Sequence, residues 1–320
     1  MTDLIGRLGS EFGTRIADKW ASLLVLSGAA FLAVCAAANV LGQTHALDVR
    51  RLIDWISAAA ADPAATTAGG QVVLAAAVLV AASATGVAAR ALGSAIERTA
   101  LAAGWRSWPA LPRAIAARQV DRRRTRWDAA HQEYSDAWTA AAKARALGQP
   151  HDPEPRLAAL RRRAAVALEQ PQRPTWSGDR IHAVAVRLRR DHRLELDRTW
   201  PHLWLILPEQ QRAEVVAART ALTRAAQLGA WAILYLPVAF AWWPSGLIAL
   251  VLGATAFRGF RTAVDGYALL VEAAVRLHAR DLSQQLGVAC DGALPTDFGD
   301  RLGDLLGSAP PVAPTDRPER

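Results

Sequence analysis

The chain is poor in the residues that build reactive centres. It has two cysteines, Cys35 and Cys290, and neither has a second cysteine or a histidine at ligand spacing. That excludes a disulfide framework and leaves no zinc signature. Cys35 falls in an apolar run, where a free thiol behaves as a small hydrophobe. Lysine is almost absent: Lys19 and Lys143 are the exceptions among 37 basic residues, the rest being arginine. This bias reads as coding background rather than a demand for bidentate phosphate contacts. There is no GxxxxGK[ST], no GxGxxG after a strand, no GxSxG and no HExxH, and no two of the seven histidines stand four apart. Nucleotide, hydrolase and metalloprotease signatures are therefore missing. His182, His192 and His202 recur every ten residues, about 1000° around a helix, and share no face. No enzyme class is indicated, and nothing calls for a cofactor or a metal.

Apolar residues are plentiful, at 52%, beside 21% charged. A mean hydropathy of +0.10 with that many charges requires the two populations to be segregated along the chain. Four uncharged runs carry the segregation: 20–41, 71–89, 225–243 and 247–257. The first rises about 33 Å as a helix, enough for a hydrocarbon core of about 30 Å. The fourth has 11 residues and ends at Arg258. It crosses only with thinning or snorkelling, or forms a re-entrant hairpin with the third across Pro244-Ser245-Gly246. No ionisable group lies inside the runs, which removes what an intramembrane proton relay would use. The first run is expected to be retained rather than cleaved, since 1–19 is long for the charged segment that precedes a leader's apolar stretch and its charges cancel.

Charge sets the expected orientation. Residues 90–224 net +11, residues 42–70 net −1, and residues 258–320 net −2. Arginine is retained on the cytoplasmic side. Arg90, Arg98, Arg106, Arg224, Arg258 and Arg261 all flank one side of a four-crossing arrangement. The expectation is a multi-pass cell-membrane protein with both termini cytoplasmic.

The rest reads as helix, so the expected fold class is all-α: a four-helix integral membrane protein with a helical cytoplasmic domain built from a hairpin and extensions of the membrane helices. The expected segments are 1–97 (the first membrane pair with outer loop 42–70), 98–224 (basic domain), 225–257 (second membrane hairpin), 258–307 (helical extension) and 308–320 (a disordered tail). Leu47, Ile53 and Trp55 predict a short amphipathic helix in the outer loop, broken at Asp62-Pro63 and Thr66 to Gly70. Pro109 and Pro112 are expected to end the second membrane helix. Val120, Trp127, Tyr134 and Trp138 are spaced as on a helix over 114–147, Gly148-Gln149-Pro150 breaks it, and Pro155 opens a return helix to Gln170. Ser177 is the expected cap of the next helix. A helix from Glu209 runs into the third membrane run with a kink at Pro237, and the fourth continues to Leu286 as its antiparallel partner.

Two segments stand out as a fingerprint: PTWSGDRIHAVAVRLRRDHRLEL, then TWPHLWLILPEQQRAEV before a hydrophobic hairpin. The region from Arg173 to Leu286 resembles uncharacterised multi-pass membrane proteins of actinobacteria that share Pro-Thr-x-x-Gly and Trp-Pro-x-Leu-Trp segments. The resemblance implies an architecture and no reaction.

The candidate contact residues are Arg122, Arg123, Arg124 and Arg126, with Arg161, Arg162 and Arg163. They suit anionic lipid headgroups. Nucleic-acid phosphates, with Trp127 as a stacking platform, are the weaker reading. A solvated helical face is the plain alternative. Trp200, Pro201 and Trp204 suggest an interfacial elbow, against simple core filling beside Leu207. Small residues at Ser27 to Ala30, Ala33, Ala37, Ala82 and Gly86 allow close helix approach, within one chain or in a homo-oligomer. The expected function is a binding or scaffold protein acting on membrane lipids or a protein partner. An oligomeric pore for an ion or nucleic acid is the alternative.

Overall fold

The computed structural model describes residues 25–62, 66–150, 152–287 and 294–305. The possible leader, the start of the first run, Cys290 and the tail 308–320 lie outside them. All regular structure among the described residues is helical, with no strand. The chain divides into two units. One takes the described residues up to Glu97 with Thr223–Phe260, and the other takes Arg98–Leu222 with those from Arg261 onward.

The first unit holds α1 (Val25–Leu41), α2 (Val49–Ala60), most of α3 (Ala68–Leu101), the end of α8 (Glu209–Val238) and the start of α9 (Pro244–Gln285). Two helices, α3 and α9, are long and apolar enough to cross a membrane; α1 is shorter. Only 17% and 22% of their most apolar stretches is buried within the chain. A soluble core helix would have these stretches covered.

Small residues set the packing. A Cβ on Gly28 would lie 2.1 Å from the Ala82 carbonyl oxygen, so the glycine lets α1 meet the backbone of α3 directly. Helices α8 and α9 run antiparallel, with Ala225 facing Gly259, Gly229 facing Ala256 and Ala232 facing Gly253, each 3.7 Å from where the glycine Cβ would be. Phe31 packs edge-on to Tyr235, ring centroids 5.1 Å apart. The Thr85 hydroxyl donates to the Ala81 carbonyl at 2.8 Å, which satisfies a polar group inside an apolar helix.

Several boundaries differ from the expectation. Thr67 Oγ1 accepts from the Gly70 amide at 3.2 Å, so Gly69 and Gly70 open α3 and do not break the loop before it. The hairpin turn falls at 239–243, and Pro244-Ser245-Gly246 begin α9, because proline at a first helical position needs no amide partner. That turn is held from outside: Gln43 donates to the carbonyls of Ala239 and Phe240 at 2.8 Å, and the Trp242 indole donates to Ala46 at 2.8 Å. The fourth run's helix, by contrast, continues past Arg258 as expected, to Gln285. Pro237 sits in the last turn of α8, one residue before its end at Val238.

The second unit contains the end of α3, α4 (Ala110–Ala146), α5 (Glu154–Val166), α6 (Trp176–His192), α7 (Leu196–Ile206), the remaining parts of α8 and α9, and α10 (Phe298–Leu305). Helix α3 stops at Leu101, where Ala102 takes a left-handed φ of 44°. Pro109 caps α4 instead of ending α3. The return helix α5 stops at Val166, four residues short of the expected end, because Ala167 is extended. Thr175, not Ser177, caps α6: its hydroxyl accepts from the Gly178 amide at 3.0 Å. Val184, Leu188, Leu203, Leu207, Val275 and Phe298 are among the residues of one buried core drawn from α6, α7, α9 and α10. Both fingerprint segments contribute to that core.

Candidate functional site

The loop from Ala167 to Thr175 is fastened by one buried carboxylate. Asp179, in the first turn of α6, is 5% exposed. Its Oδ1 accepts from the Gln172 and Arg173 amides at 2.9 and 2.8 Å, and its Oδ2 accepts from Arg123 Nη2 at 2.8 Å. A carboxylate suits both its buried cation and the positive end of its helix. Around it, Arg123 also donates to the Val166 carbonyl, Arg124 to Pro171, Trp127 to Ala167 and Trp105 to Gln172, all between 2.9 and 3.0 Å. The Thr175 hydroxyl donates to the Ala100 carbonyl.

This assembly divides the sequence-predicted arginines. Arg123 and Arg124 are half-buried and spent on the loop. Arg161 pairs with Glu154 and Arg162 with Glu133, while Arg163 lies over the Tyr134 ring, 4.6 Å from its centroid. Trp127 gives its N–H to Ala167 and one ring face to His131, stacked at 4.7 Å. Arg122 and Arg126 are exposed on α4 and form no ion pair or side-chain hydrogen bond among the described residues.

Sequence reasoning missed their neighbour. Arg118 is exposed one turn earlier, so Arg118, Arg122 and Arg126 form a row at i, i+4, i+8. The same face continues toward the helix start with Leu111, 81% exposed, and Ile115, 59% exposed. The buried residues Ala116 and Val120 lie about 140° and 180° round the helix from Leu111, on the opposite side. The i+4 spacing was legible; which face was buried was not.

The elbow residues are placed against the core. Pro201 lies inside α7, and Trp200 and Trp204, ring centroids 5.8 Å apart, pack on the cluster beside Leu207. Trp200 and Pro201 also line a cleft of about 410 Å³, together with Arg173, His182, Arg189 and Asp197. His182 Nε2 donates to the Gln172 side-chain oxygen at 3.0 Å. Burial, reinforced by Arg173, Arg189 and Arg106 and opposed by Asp179, holds the His182 pKa below its usual value. Burial also lowers that of Arg173, against the attraction of Asp179.

A pH dependence follows from His182. A histidine that resists protonation when folded contributes stability in full above its unfolded pKa of about 6.5, and loses it as pH falls below that value. The melting temperature of the wild type is therefore expected to drop between neutral pH and the mildly acidic range by more than that of His182→Gln. Equal drops in paired thermal scans contradict it.

No group of three or more metal-ligating side chains is gathered among the described residues. No protein-family model, curated protein or solved structure matches the chain.

Proposed function

We propose that the chain is a multi-pass membrane protein that works by binding, and that its basic helical unit rests the Leu111–Arg126 face of α4 on an anionic membrane surface. The observation that carries this reading is the row itself. Two large apolar side chains stand exposed in the first turns and three arginines without carboxylate partners follow on the same face. That is the pattern of an interfacial helix, apolar residues entering the headgroup boundary and arginines meeting phosphates. Each arginine near an anionic surface contributes about 1 kcal/mol. On this reading the four uncharged runs cross the membrane as parts of α1, α3, α8 and α9, with the arginine-rich side and both termini in the cytoplasm.

The test uses the full chain with Cys35 and Cys290 replaced by alanine and a polarity-sensitive dye on Ile115→Cys. In nanodiscs containing phosphatidylglycerol the emission is expected to shift to the blue relative to phosphatidylcholine discs. Added salt, or Arg118→Gln with Arg122→Gln and Arg126→Gln, removes the shift. Identical spectra in the two lipids refute the surface contact. Single cysteines at Ala59 and Gln149 of the same background are expected to label from opposite sides of a sealed vesicle; labelling from one side refutes the topology.

A further inference from the structure

The cleft between α6, α7 and α9 combines two chemistries that its surroundings do not use up. Helix α6 supplies both. Ile181 and Val184 form an apolar stripe, and His182, Ala185 and Arg189 form the next stripe, about 100° round. Trp200 and Val271 add further apolar wall. A second hollow of about 330 Å³ adjoins on the polar stripe, sharing His182, Ala185 and Arg189. The cleft's volume of about 410 Å³ lies within the usual range for small-molecule sites.

The arginines of this region are paired almost throughout. Arg180 meets Asp265, Arg187 meets Glu272, Arg190 meets Glu169 and Arg193 meets Asp300. Arg189 is the exception on α6: it has no carboxylate and no hydrogen-bond acceptor among the described residues. Arg173, half-buried in the same lining, gives Nη1 to the Leu101 carbonyl at 3.2 Å and makes no direct ion pair; Asp179 attracts it from beyond ion-pair distance while accepting from Arg123 and two backbone amides. Asp197, exposed in the first turn of α7, leaves the lining with a net single positive charge when His182 is neutral. A half-buried guanidinium in no direct ion pair and a free one beside it, next to an aromatic and aliphatic wall, are complementary to a molecule that is anionic at one end and apolar at the other.

We propose that this cleft binds a single-chain amphiphile with a phosphate or carboxylate head, the head held by Arg189 and Arg173 and the chain laid against Val184, Trp200 and Val271. The site is separate from the α4 face and stands without it. The ligand comes either free from solution or from the bilayer.

The full-length protein held in an amphipathic polymer is titrated calorimetrically with decyl phosphate, inorganic phosphate and decanol. One decyl phosphate per chain is expected, with each of the other two binding at least about tenfold more weakly, because each lacks one half of the contact. Arg189→Gln removes a charged contact and is expected to weaken decyl phosphate by about tenfold. Ala185→Trp fills the cleft and is expected to abolish binding. Should that variant fail to fold, Arg189→Gln, an exposed change, still decides. Binding unaltered by Arg189→Gln overturns the proposal, and so does inorganic phosphate matching decyl phosphate. Repeating the titration in nanodiscs separates the sources. A site occluded in phosphatidylcholine discs doped with single-chain lysophosphatidic acid but open in undoped discs identifies a bilayer source, and a site open in both identifies a soluble amphiphile. The glutamine variants of Arg118, Arg122 and Arg126 leave the calorimetry unchanged, so the cleft and the membrane face fail or succeed independently.

Discussion

Asp179→Ala is expected to destabilise the second unit by about 3–5 kcal/mol, the cost of removing one partner of a buried ion pair. The loss is not of one bond. Two backbone amides, Gln172 and Arg173, and the Arg123 guanidinium all converge on this carboxylate. Arg123 is 16% exposed and so cannot recover full hydration without moving. The neighbouring loop, whose carbonyls accept from Arg124, Trp127 and Trp105, loses its central anchor with it. Asp179→Asn keeps an oxygen for the two amides and gives up the charge, so it falls between wild type and Asp179→Ala. Denaturant or thermal unfolding of the detergent-solubilised chain, followed by tryptophan fluorescence, reads the order. A double-mutant cycle with Arg123→Ala is expected to show strong coupling. Additive single effects, or an Asp179→Ala protein as stable as the wild type, contradict the assignment.

Gly28→Ala is the second large effect, in the other unit. The new methyl group would stand 2.1 Å from the Ala82 oxygen and 2.8 Å from its carbonyl carbon, and both belong to backbone. No rotamer change relieves that contact, so α1 and α3 must separate. Overpacking of this kind costs about 1–3 kcal/mol, and a backbone obstacle places it at the upper end. Ala82 is fully buried at this crossing, so separation also strips contacts from its neighbours. The measurement is the melting temperature of the purified protein beside Gly42→Ala, where nothing lies within 4 Å and only the positive φ of 60° is disturbed. A Gly28→Ala protein no less stable than Gly42→Ala shows that the two helices do not approach this closely. The same contact bears on self-association: Gly28 and Ala82 use their small faces on each other within one chain.

Part of this was legible and part was not, for definable reasons. The hairpin of α4 and α5 followed from helical spacing around Val120 to Trp138 and from Pro155. The start of α8 at Glu209 and the antiparallel return of α9 were also read correctly, because charge and apolarity there change over many residues. Single boundaries failed where one residue type serves two purposes. Pro109, Pro112 and Pro244 were taken as stops and are starts, since proline is excluded from helix interiors and favoured in the first turn alike. The arginine clusters failed differently. Adjacent arginines at 122–124 and 126 look alike in sequence, yet α4 turns Arg123 and Arg124 toward the loop and leaves Arg122 and Arg126 outside.

The amino-acid sequence by itself determined that this chain is helical, that its apolar and charged parts are separate, and that its positive charge gathers in one segment. Those properties are sums over many residues and tolerate errors at any one. Only the tertiary structure decided which cations are neutralised and which are free. Arg123 finds its carboxylate at Asp179, 56 positions away, and Arg180 finds its own at Asp265, 85 positions away. Arg189 lies between paired neighbours and finds none. A counter-ion acts over a few ångströms, and separations of that length along a chain do not report distances in space until the core of α6, α7 and α9 has formed.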